Sequence, residues 1–144
     1  MASIPTRRIL ALDLGSRRIG LAISDKLGIT AQPLPTLNRK NQKTDRAALL
    51  RLVKKHEVGE IVIGLPLMMS GDMGTKANEA SAFAEELREA TGLPVHLVDE
   101  RLTSAAAHRL LDESGLTREQ RKGKVDAMAA VMILQTFLES ESKR

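Results

Sequence analysis

The sequence contains no cysteine, tryptophan or tyrosine, and phenylalanine occurs only at Phe83 and Phe137. The absence of cysteine excludes disulfide bonds, catalytic thiols and thiolate metal sites. The three histidines, His56, His96 and His108, do not have the spacing of zinc ligands. A metal ion bound to this chain would therefore be held by oxygen ligands, which suit Mg²⁺ and Mn²⁺.

Long apolar segments are also missing. The longest nearly apolar run, residues 125–134, includes Asp126 and is too short to cross a membrane, and no secretory signal precedes the first predicted strand. We therefore expect a soluble, cytoplasmic protein with no membrane partner. The 22 basic and 18 acidic residues give a net charge of +4, which favours anionic partners. Because aromatic side chains for base stacking are scarce, a nucleic-acid ligand would be recognised through its backbone and shape.

The first half of the chain begins with strand patterns and changes to helical spacing. Short apolar runs at 9–12 and 19–23 flank turn residues 15–18 and predict a β-hairpin. Prolines in the predicted strand 31–37 place that strand at a sheet edge. The later elements are predicted as helices at 42–56, 75–90, 103–111 and 124–140, strands at 60–64 and 95–98, and a basic loop at 117–124.

This order of elements predicts an α/β fold with a mixed five-stranded sheet. A three-strand antiparallel meander is followed by two parallel strands, and helices cover both faces of the sheet. The 144 residues contain neither an internal repeat nor a linker, so we expect a single domain over residues 1–144.

Three carboxylates occupy positions where an unpartnered charge would be costly. Asp13 ends the first strand, Glu100 follows the last strand, and Asp126 lies in the first turn of the predicted final helix as the only polar residue of its apolar run. A buried carboxylate takes up a proton or meets a cation. Three such acids at one end of a sheet would hold two divalent ions, which activate water and stabilise the leaving oxygen in phosphodiester hydrolysis.

Two of these acids also have a simpler interpretation. Asp13 can cap the hairpin turn, and Asp126 can be stabilised by the helix N-terminus by about 0.3–1 kcal/mol. Asp25 and Asp99 are candidates for a fourth ligand, but each adjoins a turn, where capping acids are common.

Four motifs, in order and spread over nearly the whole chain, resemble the YqgF family, also called RuvX. They are LDLGSRRIG at 12–20, VIGLP at 62–66, VDERLT at 98–103 and RKGKVD at 121–126. The resemblance implies an RNase H-like fold and a bacterial cytosolic nuclease that matures the 5′ end of pre-16S rRNA. It places the family's acidic positions on Asp13, Glu100 and Asp126.

The wider RNase H-like superfamily usually carries a fourth ligand, and its better-characterised resolvases have a second acid one turn further along the last helix. This chain has Ala129 and Ala130 there. A site of three carboxylates would hold two Mg²⁺ or Mn²⁺ ions, the second weakly or only when substrate phosphate completes its shell.

Basic residues flank the predicted acidic site and are candidates for contacts with the substrate backbone. Arg17 and Arg18 lie in the hairpin turn, and Arg101 either orients the scissile phosphate or pairs with Asp99. The loop before Asp126 is predicted to clamp a nucleic-acid strand through Arg118, Arg121, Lys122 and Lys124.

Three other functions compete with rRNA processing. The first is Holliday junction resolution on DNA, which needs two sites and hence a dimer, so the choice between monomer and homodimer stays open. The second is a catalytically silent nucleic-acid-binding or ribosome-assembly module. The third follows from residues 13–16, which also resemble the phosphate motif of actin-like ATPases and sugar kinases, although those proteins enclose ATP between two such domains.

Overall fold

The computed structural model describes residues 8–68, 70–102 and 118–142, without the side chains of Leu102, residues 118–126 and Ser142. The predicted helix at 103–111 lies outside the described residues. Within them, the elements in chain order are β1 (Ile9–Leu14), β2 (Arg18–Ser24), β3 (Ala31–Asn38), α1 (Gln42–Lys55), β4 (Glu60–Leu65), α2 (Thr75–Thr91), β5 (Val95–Asp99), a 3₁₀ turn (Glu100–Leu102) and α3 (Arg118–Ser142).

The strands form one mixed sheet in the order β3-β2-β1-β4-β5. β2 pairs antiparallel with both β1 and β3, whereas β4 runs parallel to β1 and to β5. The predicted meander and parallel pair are therefore confirmed, and the proline-containing β3 lies at an edge, where a missing N–H is tolerated. The carboxyl ends of β1, β4 and β5 consequently lie together at one end of the sheet, its carboxyl edge.

Successive side chains of β1 point alternately into two hydrophobic cores, one on each face of the sheet. Leu10 and Leu12 pack in the cluster that includes residues of α1 and α2, whereas Ile9 and Ala11 pack in the cluster that includes residues of α3. Successive strand residues point to opposite faces, so Asp13 continues the series on the α3 side. Helices thus cover both faces, as predicted, and α3 lies over the face from which Asp13 projects.

The predicted basic loop at 117–124 is wrong, because α3 begins at Arg118. Gly123 costs a helix only about 1 kcal/mol, and good helix formers at 118–122 extend the long apolar segment that follows. As a result, Asp126 is the ninth residue of α3 and does not lie in its first turn. The favourable interaction with a helix N-terminus falls off within one turn and therefore does not explain this acid.

None of the helices in the described ranges is long and apolar enough to span a membrane.

The start of β1 depends on one buried hydroxyl group. Ser24 is 1% exposed, and its Oγ accepts a hydrogen bond from the Ile9 N–H at 2.8 Å and donates to the Asp25 carbonyl at 3.0 Å. We expect Ser24→Ala to lower the free energy of unfolding by about 1–3 kcal/mol, because it leaves a buried N–H without an acceptor. Urea denaturation checks this result. Ser140→Ala, at an exposed helical position, should change stability by less than about 0.5 kcal/mol, and equal losses in the two variants would contradict the assignment.

Candidate active site

Two acids that are far apart in the sequence meet at the carboxyl edge of the sheet. β1 carries Asp13, and Glu100 is the first residue after β5, on the far side of β4. The carboxyl groups of Asp13 and Glu100 are hydrogen-bonded to each other. The structure therefore brings together two of the three acids predicted from the sequence.

The Glu100 carboxyl has an unusual affinity for protons. Burial, the hydrogen bond to Asp13 and the charge of Asp13 together raise its pKa to about 9, while the Lys76 ammonium opposes the increase. At neutral pH the pair therefore holds one proton, which the hydrogen bond between the two carboxyl groups shares. Two carboxylates close enough to share a hydrogen bond would repel each other if both were charged. One proton relieves this repulsion when no cation is present.

Gly64 provides the space for this pair. It lies at the end of β4, opposite Val98 of β5, and the Glu100 side chain passes directly over it. A Cβ atom at this position would lie 2.6 Å from both Glu100 Cγ and Ile133 Cδ1. The absence of a side chain at Gly64 thus lets β4, the Glu100 carboxyl and α3 pack together.

We expect Gly64→Ala to displace Glu100 and to lower the free energy of unfolding by about 1–3 kcal/mol, because Ile133 is fully buried and cannot move away cheaply. Urea denaturation measures the loss, and an NMR titration should place the pKa of Glu100 closer to that of an ordinary glutamate. Gly74→Ala is the matched control for the titration, since its Cβ would meet Met68 Cγ at 3.4 Å, an ordinary contact. Its own loss of stability comes from the N-cap position of Gly74, where alanine is disfavoured. An unchanged titration of Glu100 in Gly64→Ala would contradict the packing argument.

The two acids considered as a fourth ligand serve other groups. Asp99 forms a bidentate salt bridge with Arg101, with Arg101 Nη2 at 2.7 Å from Asp99 Oδ2, and this bridge lowers the pKa of Asp99. Asp25 accepts hydrogen bonds from the N–H groups of Ile29 and Thr30 in the β2–β3 turn. Arg101 therefore pairs with Asp99, which is one of the two roles anticipated for it.

For the other predicted residues the structure describes the backbone, but only some of the side chains. Arg17 is exposed in the hairpin turn and Arg18 is half-buried at the start of β2, both close in sequence to Asp13. Arg118, Arg121, Lys122 and Lys124 are helical residues that precede Asp126 on α3. The side chains of these four residues and of Asp126 lie outside the described part of the structure.

Sequence reasoning missed Lys76. It is the second residue of α2, and its ammonium group is close enough to Glu100 to lower the pKa of that carboxyl. The first turn of α2 contains no acid, and its N-cap residue, Gly74, supplies no capping side chain. A lysine at the positive end of a helix dipole is unfavourable by itself, and this was the available signal that the position has another role.

The chemistry of the pair fits a hard divalent cation. Carboxylate oxygens are the ligands that Mg²⁺ and Mn²⁺ prefer, and a cation between Asp13 and Glu100 would replace the proton that now separates their charges. Among the side chains that the structure describes, no group of three or more histidine, cysteine or acidic residues is placed so that it could hold a metal ion. A third acidic ligand would therefore have to come from elsewhere, and Asp126 is the sequence-based candidate.

The fold resembles that of known resolvases. The solved structure described as T. thermophilus RuvC in complex with Holliday junction substrate superposes with a TM-score of 0.59 at 15% sequence identity, over 94% of this chain and 96% of that one. This likeness defines the class of the fold: the chain shares its mixed sheet and covering helices with RuvC-type proteins.

Comparison of sequences narrows this class to a family. Residues 7–140 match the model of the RuvX family, described as Holliday junction resolvase. A protein of Koribacter versatilis named "Putative pre-16S rRNA nuclease" is 54% identical over 132 residues, which are 92% of this chain and 86% of that protein. A protein of Moorella thermoacetica with the same name is 48% identical over 132 residues, 92% of this chain and 94% of the other. This chain belongs to the RuvX family, which confirms the assignment made from the four motifs.

Proposed function

We propose that this protein is a divalent-metal-dependent endonuclease that processes the 5′ end of pre-16S rRNA in the cytoplasm, and that residues 1–144 act as one RNase H-like nuclease domain. The observation that carries the proposal is the hydrogen-bonded pair of Asp13 and Glu100 at the carboxyl edge of the sheet. Two carboxyl groups that hold a proton tightly because their charges repel each other are strongly stabilised when a divalent cation binds between them. Relatives at 54% and 48% identity carry the name of a pre-16S rRNA nuclease.

Asp13, Glu100 and Asp126 are the proposed ligands of Mg²⁺ or Mn²⁺, with a second ion that depends on substrate phosphate. When bound, the ions activate water and stabilise the leaving oxygen of a phosphodiester. Position 126 is separated from Ala130 and Ile133 by four and seven residues, the spacing of one helix face. Ala130 and Ile133 are buried in the core beneath α3, and Ile133 reaches Gly64 beside Glu100. This spacing supports Asp126 as the third ligand.

Basic side chains around the acids are proposed to bind the substrate backbone. Arg17 and Arg18 serve one flank of the site, and the Arg101 guanidinium is held close to it by Asp99. Arg121, Lys122 and Lys124 lie on the turns of α3 that lead to Asp126, so a helix presents them in place of the loop predicted from the sequence. Recognition through these groups is insensitive to base sequence and weakens with added salt.

Holliday junction resolution is the second candidate function, favoured by the description of the matching family model. Symmetric cleavage of a four-way junction requires two active sites related by two-fold symmetry. This function therefore predicts a homodimer, whereas rRNA processing is compatible with a monomer.

A cleavage assay separates the candidates. Purified protein is incubated with a pre-16S rRNA 5′ leader or a synthetic four-way DNA junction, in Mg²⁺, in Mn²⁺ or in chelator, and its mass in solution is measured in parallel. Metal-dependent cutting of the leader by a monomer supports the proposed function. Paired cuts in the junction by a dimer favour resolution.

The Asp126→Asn variant tests the third ligand in the same assay. We expect it to bind both nucleic acids as tightly as the wild type and to cut neither. Binding by wild-type protein with no cutting under any metal condition would overturn the nuclease proposal in favour of a silent binding module.

A further inference from the structure

A cavity of about 380 Å³ adjoins the acid pair on the other face of the same sheet edge. It is lined by Leu14 and Gly15, the residues after Asp13, and by residues of the N-terminal halves of α1 and α2. Consecutive Cα atoms are about 3.8 Å apart and neighbouring strand residues face opposite sides. A strand of nucleic acid that crosses the sheet edge at Asp13 would therefore reach this cavity within the next few phosphates.

Arg39 is held in the cavity wall in a fixed orientation. Its Nη1 donates to the Gly15 carbonyl at 2.7 Å, and its Nε lies 3.6 Å from the buried carboxylate of Asp45. Its side chain retains 28% exposure, and a guanidinium has five N–H donors, so these contacts leave donors available. Preorganised in this way, Arg39 loses little conformational freedom when it binds an anion.

Lys76 lines the same cavity and connects it electrostatically to the acid pair. Its side chain is exposed at the positive end of α2, where a lysine is disfavoured unless an anion is nearby. Among the lining residues, Arg39 and Lys76 are cationic and Glu79 is acidic, while the buried Asp45 carboxylate balances part of the charge of Arg39. The remaining N–H donors of Arg39 and the ammonium group of Lys76 are the groups that an anion of the size of a phosphate would use.

We propose that the cavity between Arg39 and Lys76 binds a backbone phosphate of the substrate strand that flanks the scissile phosphate, with Lys76 as a positioning residue. The proposal rests on the proposed nuclease function and adds to it a contact outside the acidic site. The contact fixes the direction in which the strand crosses the sheet edge, and therefore which bond lies over Asp13 and Glu100.

Lys76→Gln tests the proposal by binding and by kinetics, with the substrate that the wild type binds more tightly. Without cleavage, in Ca²⁺, we expect the variant to bind about tenfold more weakly and the slope of log affinity against log salt to decrease by about one. With Mg²⁺, KM should rise while kcat changes little, since the contact is made in ground and transition states alike. Lys76→Arg should restore most of the affinity. Lys43→Gln is the matched control, because Lys43 is exposed in the first turn of α1 and does not line the cavity.

Oligonucleotides with one uncharged methylphosphonate linkage locate the contact. The linkage is moved one position at a time away from the scissile bond in both directions. At one flanking position the uncharged linkage should weaken binding by the wild type about tenfold. At that position it should not weaken binding by Lys76→Gln any further, because this variant already lacks the contact. Equal behaviour of Lys76→Gln and Lys43→Gln, or losses that add at every position, would overturn the proposal.

A free nucleotide is the other source of the same phosphate chemistry. Inorganic phosphate and AMP are titrated into the wild type while amide shifts at Gly15 and Lys76 are followed. Saturation at micromolar concentration would identify a nucleotide pocket and overturn the strand proposal, whereas weak binding supports it. The binding measurements need no turnover. A protein that fails to cleave would therefore refute the nuclease function, while the binding of Lys76→Gln would still decide the role of the cavity.

Discussion

Asp13→Asn is expected to lose metal-dependent phosphodiester cleavage by about three orders of magnitude and to remain folded. A metal ligand supplies several kcal/mol of transition-state stabilisation, and an amide oxygen cannot provide the missing charge. The fold should survive because asparagine keeps the shape of aspartate and removes the charge that now faces Glu100. Cleavage kinetics and urea denaturation measure the two effects separately.

The same variant carries an internal check. Because the Asp13 carboxylate contributes to the high proton affinity of Glu100, its removal should lower the pKa of Glu100 from about 9, which an NMR titration detects. Glu89→Gln, at an exposed position of α2, removes one acid elsewhere and should leave both cleavage and this titration unchanged. Retention of metal-dependent cleavage by Asp13→Asn would refute the proposed role of the acid pair.

Glu100→Gln is expected to be inactive, yet more stable than the wild type in the absence of divalent metal at alkaline pH. In the folded protein the pKa of Glu100 is about 9, compared with an ordinary value of 4.5. The folded state therefore holds its proton more tightly than the unfolded state. The wild type accordingly loses stability as pH rises from about 4.5 towards 9, and a glutamine, which does not titrate, removes that loss.

The size of this difference in stability follows from the difference between the pKa values of Glu100 in the folded and unfolded states. One pKa unit corresponds to about 1.4 kcal/mol, and partial exposure of Glu100 to solvent reduces the whole effect to about 1–2 kcal/mol at pH 8. Urea denaturation of both proteins in chelator, from pH 5 to pH 9, should give curves that diverge as pH rises. Parallel curves would contradict the assignment of the proton to this pair.

Divalent metal should reverse the order of stability. A cation that binds only the folded wild type adds stability in proportion to the logarithm of its concentration over the dissociation constant. We expect Mg²⁺ or Mn²⁺ to raise the unfolding midpoint of the wild type and to leave that of Glu100→Gln nearly unchanged. An equal increase in both proteins would place the metal outside the acid pair.

Much of the fold was predictable because its signals are local. A period of two along β1 and a period of 3.6 along α1 and α2 are set by the order of side chains, and the prolines of β3 exclude a central position in the sheet. The bonds of Asp25 and the pairing of Asp99 with Arg101 span only a few residues, and both were anticipated as alternatives.

The beginning of α3 shows where local signals compete. Gly123 and the surrounding charges are typical of a loop, whereas the apolar segment after them favours a helix. The helix extends through Gly123 because propagation of a formed helix costs little compared with nucleation of a new one. This outcome moves Asp126 away from the helix N-terminus and leaves its role as a third metal ligand a prediction.

By itself, the sequence determined the types of residue available for chemistry. Oxygen ligands without cysteine, the three acids and the excess of positive charge all follow from the sequence, and the resemblance in four motifs was sufficient to identify the family. Only the tertiary structure decided which of these groups meet. The parallel pairing of β1 with β4 and of β4 with β5 brings Glu100 to Asp13, Gly64 provides the space for the Glu100 side chain, and α2 places Lys76 where its charge acts on Glu100. These contacts join residues far apart in the chain, and they depend on strand order and close packing, which no local pattern of side chains specifies.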